Sequence, residues 1–399
     1  MRKRSFITGC AGFIGSHLAE RLLEAGHEVV GLDDLSTGAA RNVVDLLSHP
    51  RFRFVRGSIL ERDLVDQLAA QSDRIFHFAA AVGVHTIVND PVESLRTNLS
   101  GTECVLDAAL RHDSRVLIAS TSEVYGKNDG QALDEGADRI MGSALKSRWS
   151  YAAAKALDEM IAHTYWRTRG LRAVIVRPFN TVGPRQTGRY GMVVPRFVEQ
   201  ALAGNAITVC GDGHQSRCFL HVGDLVSVLV ELLEHPPAWG EVFNVGGEEE
   251  ITINDLASMV VRLTGSSSPI VHLTQEQLYG EGFEDMRRRV PNTTKVRSHV
   301  EFAQSLSIEQ IVRTVIDDRR TNAMLTTLRS PSVVNEPNGV DALNGANEPN
   351  EANGNNGHNG HNGHNGRELV LSTPISAAPE DLVAEPADGR DGDCQEGNK

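Results

Sequence analysis

The chain has 399 residues and a net charge of −13, with a composition rich enough in apolar residues for two domains and a sizeable core. The charge is uneven: residues 331–399 hold 12 Asp/Glu against 3 Lys/Arg, so the remainder is only mildly acidic and no nucleic-acid partner is expected. Five cysteines (Cys10, Cys104, Cys210, Cys218, Cys394) form no CxxC or Cys/His zinc spacing, which reads as reduced thiols in a cytoplasmic protein without a metal site, and no apolar run reaches signal-peptide or membrane-spanning length.

Residues 4–8 predict a short buried strand. It runs directly into Gly9-Cys10-Ala11-Gly12-Phe13-Ile14-Gly15 and an amphipathic helix to about residue 25, with Phe13, Ile14, Leu18, Leu22 and Leu23 on one stripe. Glycines are needed where backbone turns tightly and approaches a pyrophosphate, whose charge then rests on the helix N-terminus. A second strand over 29–32 ends in Asp33-Asp34. A carboxylate there can accept both hydroxyls of an adenosine ribose, which favours NAD over its phosphorylated form. An ordinary turn between helix and strand is the bland alternative for the loop.

Strands over 52–56 and 74–78 flank a helix over 63–70. Small residues Ala79, Ala80 and Ala81 then let the backbone lie close to a flat ligand. Pro91 precedes a helix over 92–111, and a strand over 115–119 delivers Ser120 and Thr121. Alternating strands and helices with short joints imply α/β architecture, a parallel doubly wound sheet with its ligand at the carboxyl ends of the strands. Gly9, Asp33, Ala79 and Thr121 all fall at such ends.

Tyr151 and Lys155 stand one turn apart on a helix predicted to about residue 169, so both face one side. A phenolate at neutral pH needs about 3 pH units of help, roughly 4 kcal/mol, and a nearby lysine cation in a shielded site supplies about that much. A hydroxyl of Thr121 or Ser120 completes a proton path to a substrate alcohol. A surface pair on an amphipathic helix is the alternative.

Past a strand over 172–176, the run from Arg177 to Arg185 breaks regular structure, and a smaller α+β portion follows. It comprises helices over 193–203 and 225–234, strands over 207–209, 217–221 and 241–245, a helix capped by Asn254 to about 263, and a last helix to about 320 opened by a Ser307/Gln310 capping box. From about residue 322 the chain is rich in Asn, Gly and His, and residues 331–399 hold no aromatic side chain. Such a tail cannot offset its ordering entropy and is expected to be disordered. Its histidines read as solvating, with adventitious metal binding the alternative. The expected divisions are 1–180, 181–321 and 322–399.

Together these residues resemble the extended short-chain dehydrogenase/reductase family, specifically its nucleotide-sugar epimerases, dehydratases and decarboxylases, over about residues 3–320. The resemblance implies a Rossmann-type sheet, NAD as cofactor and a UDP-sugar as substrate. It rests on the Gly9–Gly12–Gly15 loop, on Asp33-Asp34 with Ser36-Thr37-Gly38, on the Phe76–Ala80 strand end, on Asn98 with Gly101-Thr102, and on Thr121, Tyr151 and Lys155 as catalytic triad. The cofactor contacts it implies are Gly9, Gly12, Phe13, Ile14, Gly15, Asp33, Asp34, Ser36, Thr37, Gly38, Ser58, Ile59, Phe78, Ala79, Ala80, Asn98, Tyr151, Lys155 and Pro178. The substrate contacts are Ser122, Asn180, Arg185, Val194, Arg217 and Arg289. The helices over 92–111 and 151–169 are expected to pair across a two-fold axis as a homodimer with a four-helix bundle.

Within the family, Ser122 stands where 4,6-dehydratases carry an Asp, and Glu123 has no task in simple epimerisation. Thr121-Ser122-Glu123 resembles the UDP-glucuronate decarboxylases, as do Arg148-Trp149-Ser150-Tyr151 and the stretch from Tyr279 to Pro291. The resemblance therefore implies decarboxylation of a UDP-uronate with Glu123 as a fourth catalytic group and Arg217 beside the uronate carboxylate. UDP-glucose or UDP-glucuronate 4-epimerisation, with Glu123 only capping a turn, stays open, as does a silent NAD or nucleotide-sugar sensor.

Overall fold

The computed structural model describes residues 2–81, 91–128, 132–143, 146, 149–188, 192–279 and 286–329, all within one compact unit. Arg148, the stretch 280–285 and the tail from residue 330 lie outside these residues. Seven parallel strands form the main sheet: β1 (Arg4–Thr8), β2 (Glu28–Asp33), β3 (Phe52–Arg56), β4 (Arg74–His77), β5 (Arg115–Ala119), β6 (Ala173–Pro178) and β11 (Val242–Val245). Their spatial order is β3-β2-β1-β4-β5-β6-β11. The chain winds outward from β1 in both directions, so the two halves part between β1 and β4. There the connections leave a crevice at the strands' carboxyl ends.

Both faces of a parallel sheet must be covered, and the strands are accordingly apolar throughout. On one side, α1 (Phe13–Glu24) and α6 (Val222–Glu234) bury Leu18, Leu22, Leu225, Leu229 and Leu232 against the sheet. On the other, α2 (Arg62–Ala69), α3 (Pro91–Arg111) and α4 (Ser150–Arg169) bury Val65, Leu68, Val105, Leu106, Ala162 and Tyr165. A third core joins α5 (Val193–Leu202), α7 (Ile253–Thr264) and α8 (Ile308–Arg329) through Phe197, Leu256 and Val312. Although α6 and β11 lie within residues 181–321, they add to the main sheet rather than to this third core.

Local chemistry corrects several expected boundaries. The cap of α7 is Thr252, whose hydroxyl accepts from Asp255 N at 3.1 Å and donates to the Asp255 carboxylate at 2.6 Å. Asn254 sits inside the first turn and instead bonds Asp212 O and His272. The expected strand over 217–221 splits into β9 (Ser216–Cys218) and β10 (Leu220–His221), because β9 pairs β12 (Glu250–Thr252) while β10 pairs β7 (Thr181–Val182). The last helix opens on the expected Ser307/Gln310 box but runs on to Arg329. Residues 321–329 contain no breaker, and Pro331 stands just beyond. The short strands β8 (Ile207–Cys210), β13 (Ile270–Leu273) and β14 (Arg288–Arg289) complete the second layer.

A buried ion pair docks α4 on the sheet. Glu159 on α4 accepts from Arg177 Nε at 2.8 Å and Nη2 at 2.7 Å, and from Ser120 Oγ at the end of β5 and Arg139. Arg177 on β6 also donates to the Tyr125 hydroxyl at 2.8 Å, and that hydroxyl donates to Asn244 on β11 at 2.7 Å. Burial opposes the charge on Arg177, but Glu159 more than offsets it and raises the Arg177 pKa. Removing one partner of such a pair strands the other charge. Glu159→Ala is therefore expected to cost about 3–5 kcal/mol in urea denaturation, and Glu159→Met with Arg177→Met to regain most of it. A single-variant loss below about 1 kcal/mol, the range of a surface pair, would mean that this pair does not hold the helix.

Candidate active site

The crevice between β1 and β4 is built from backbone that tolerates no side chain. Gly9 has φ 70°, and a Cβ on it would lie 2.7 Å from Ala79 N; one on Gly15 would lie 2.2 Å from Gly9 O. Gly12 precedes α1 with its N–H on Gly9 O at 3.1 Å, and Phe13 and Ile14 open the helix. The loop, the helix N-terminus and the end of β4 thus meet closely, leaving backbone N–H groups for an anionic ligand.

At the end of β2, Asp33 accepts Ala11 N at 2.9 Å on one carboxylate oxygen and Leu35 N at 2.8 Å on the other. Each oxygen keeps capacity for a further donor, although burial raises the pKa of the group. Gly38 closes over this carboxylate, where a Cβ would stand 2.7 Å from Asp33 Oδ1. Asp34 is exposed and accepts the Ser36 N–H at 2.9 Å and hydroxyl at 2.6 Å, with Thr37 half-buried between Ser36 and Gly38. After β3, Ser58 Oγ accepts Leu60 N at 3.2 Å, and Ile59 is buried against Gly101. Phe78 N donates to Thr8 O at 3.1 Å, Ala79 N to Thr8 Oγ1 at 3.2 Å, and half-buried Ala80 follows. Asn98 on α3 holds Ala81, accepting its N–H at 2.8 Å. A glycine cradle, a helix N-terminus and a carboxylate with spare acceptor capacity fit a dinucleotide.

Thr121 follows β5, and its hydroxyl accepts Glu123 N at 3.2 Å in the turn of Ser122–Tyr125. Ser122 is buried. Tyr151 and Lys155 stand one turn apart at the start of α4, as their spacing requires. The charge balance differs from the expected one. Lys155 Nζ donates at 3.0 Å to Asp158 Oδ2, and both side chains are buried, with 2% and 0% of their surface exposed. Burial raises the Tyr151 pKa, and the Glu123 and Asp158 carboxylates raise it further. The lysine that its spacing sets against burial is matched by a carboxylate of its own.

The substrate-side residues divide into distinct places. Asn180 takes φ 29° where the chain leaves β6, and its Nδ2 donates to Cys218 O at 2.8 Å. Arg289 on β14 brings Nη1 to 4.0 Å from the Glu123 carboxylate. Arg217 lies beside it in register on β9, but its guanidinium donates to the carbonyls of Ser216, Met286 and Arg287 at 2.7, 2.8 and 3.3 Å. Of the two, Arg289 has its contact with Glu123 described. Arg185 pairs with Glu20 on α1 at 2.9 Å, on the side of the glycine loop. Val194 is fully buried in the third core, and Pro178 ends β6 in register with Val245. The sequence reading missed Asp158 and Glu159. Their signal is two acids three and four residues past Lys155, on a face whose other members include Ala152, Ala154 and Ala162. Among the described residues no group of His, Cys, Asp and Glu is placed to hold a metal, and no helix is long and apolar enough to cross a membrane.

Residues 5–246 match the model of the NAD dependent epimerase/dehydratase family. The chain is 41% identical to a UDP-N-acetyl-alpha-D-glucosaminuronate decarboxylase of Bacillus cytotoxicus, over 79% of this chain and 97% of that one. It is 35% identical to UDP-glucuronic acid decarboxylase 1 of Xenopus tropicalis, over 74% of this chain and 67% of the relative. Among solved structures, UDP-glucuronic acid 4-epimerase from Bacillus cereus, in complex with UDP-glucuronic acid and NAD, superposes with a TM-score of 0.72 at 30% identity, covering 80% of this chain and 99% of that one. With its glycine cradle and Asp33 carboxylate at the carboxyl ends of the strands and its Tyr151–Lys155 helix packed on the same sheet, the chain belongs to the NAD-dependent epimerase/dehydratase family of extended short-chain dehydrogenase/reductases and is an enzyme whose cofactor is NAD.

Proposed function

We propose that the enzyme oxidises C4 of a UDP-hexuronate and decarboxylates the resulting 4-keto acid. The observation that carries this reading is the Glu123–Arg289 pair at 4.0 Å, set beside Tyr151, whose proton affinity Glu123 raises. Epimerisation at C4 gives that carboxylate no task. The likeness to the decarboxylase of Bacillus cytotoxicus over nearly its whole length supports the same reading and favours a 2-acetamido sugar over a 2-hydroxy one.

Bound NAD supplies the acceptor for the C4 hydride and a cationic ring. Tyr151 in its phenolate form takes the O4 proton, with the Thr121 hydroxyl as the bridge. The new 4-keto group stands β to the C6 carboxylate. The C5–C6 bond then breaks with its electron pair passing into the C4 carbonyl, carbon dioxide leaves, and the enolate takes a proton at C5. Glu123, or a water that it orients, delivers that proton, and Arg289 offsets the negative charge that builds there.

The second reading is 4-epimerisation of a UDP-uronate, favoured by the match to the Bacillus cereus epimerase. It shares the Tyr151 step but leaves the carbon skeleton intact. We also propose a homodimer. Val92 and Leu95 on α3 and Leu157 and Met160 on α4 are exposed, Val92 by 75% and Met160 by 59%. The two helices lie side by side, joined by the Tyr165 hydroxyl on Asp107 at 2.7 Å, and their exposed apolar residues are those a four-helix bundle would cover.

Two experiments test these readings. Incubation with UDP-N-acetylglucosaminuronate and UDP-glucuronate, followed by mass spectrometry, is expected to show loss of the mass of carbon dioxide. Glu123→Ser is expected to spare C4 oxidation and slow the later steps by about 10²-fold, so that reduced cofactor accumulates in a single turnover. Unchanged mass with altered retention, and no effect of Glu123→Ser, would establish epimerisation instead. For the assembly, light scattering should give a dimer, and Leu157→Glu with Met160→Glu a monomer; a monomeric parent would refute the bundle.

A further inference from the structure

Beneath the Tyr151–Lys155 pair runs a buried polar chain that the proposed reaction does not use. Thr8 Oγ1 accepts the Ala79 N–H at 3.2 Å and lies 2.7 Å from His77 Nδ1. His77 Nε2 lies 3.1 Å from Thr102 Oγ1. Burial raises the proton affinity of Asp158, against which Lys155 and the facing Thr102 hydroxyl act, and Oδ1 of Asp158 has no hydrogen-bond partner among the described residues. Asp158 Oδ2 accepts from Lys155 Nζ at 3.0 Å. Thr8, His77, Thr102, Lys155 and Asp158 are all buried.

Thr8 Oγ1 accepts the Ala79 N–H and keeps a second lone pair and its own proton for His77. Burial drives the His77 pKa down to about 3, with the Lys155 charge acting the same way, so the ring is neutral and carries one proton. The two threonine hydroxyls engage its two nitrogens, and the Asp158 carboxylate is the acceptor that Lys155 requires.

We propose that Asp158 is a positioning residue that acts through Lys155: its buried carboxylate, set next to the Thr8–His77–Thr102 chain, fixes the lysine ammonium one helical turn from Tyr151. The inference rests on Tyr151 and Lys155 being the catalytic pair. Among the described residues, the charges that act on the phenol are Glu123 from the turn after β5, which has Arg289 of β14 4.0 Å away, and Asp158 from its own helix; those that act on Asp158 are Lys155 and Glu159. Substituting Asp158 by Asn removes one negative charge from this set and leaves the cation, so the phenol must ionise more readily.

Titration of protein labelled on its tyrosine rings, followed by NMR with Tyr151→Phe to assign the signal, reads that ionisation without turnover. Asp158→Asn is expected to lower the Tyr151 transition by about one pH unit or more and to move the acidic limb of kcat the same way. At the parent's pH optimum kcat should fall by roughly tenfold or more, with KM little changed, because the lysine is no longer fixed. Thr102→Val should lower kcat several-fold, and the double variant should be no worse than Asp158→Asn alone, since both act through one chain. A folded Asp158→Asn protein with the Tyr151 titration and the kcat limb both unmoved overturns the proposal, and so do fully additive losses. Should Asp158→Asn fail to fold, Thr102→Val decides: parental kcat overturns the proposal, and a several-fold loss at constant KM supports it. A Tyr151→Phe enzyme with parental turnover would instead sink the catalytic assignment, whatever the titration shows.

Discussion

The ion pair between Glu159 and Arg177 is the constraint on which the site depends. Helix α4 carries Lys155, Asp158 and Glu159 into a buried face otherwise composed largely of small residues. Each buried ion costs several kcal/mol unless a partner and further hydrogen bonds surround it. Arg177 comes from β6, Ser120 from the end of β5, and Asn244 from β11 through Tyr125. The helix can therefore satisfy its charges in one register only against these three strands. A slip of one residue would strand them all. The same register fixes where Tyr151 and Lys155, one turn apart on this helix, stand against the sheet.

Much of this was legible in the sequence because it depends on period and punctuation. The apolar runs of β1, β2, β5 and β6 and the stripe of α1 follow from hydrophobic patterning, and the glycine loop from its place between strand and helix. Gly9 and Gly15 bear that out, since neither has space for a Cβ. What escaped was partner choice. Nothing local distinguishes Thr252 from Asn254 as a cap, because both are good N-caps two residues apart. Arg217 and Arg289 look alike in sequence, yet the first donates to main-chain carbonyls and the second reaches Glu123. That difference arises only when β9, β12 and β14 form their small sheet.

The expected lysine–tyrosine electrostatics changed for a similar reason. A cation one turn from a phenol favours phenolate when considered as a pair. In the folded chain the lysine is paired with Asp158, and Glu123 adds a second negative charge, so burial and the two carboxylates all raise the phenol's pKa.

Oxidation at C4 of the sugar is the step common to every reading of this active site, and deuterium at that carbon tests it most directly. In a single turnover with a C4-deuterated UDP-uronate, cofactor reduction should slow several-fold relative to the protiated sugar, and Tyr151→Phe should abolish it. Equal rates for the two isotopologues in a reaction limited by chemistry, or product formed with no cofactor reduction at all, would contradict the account.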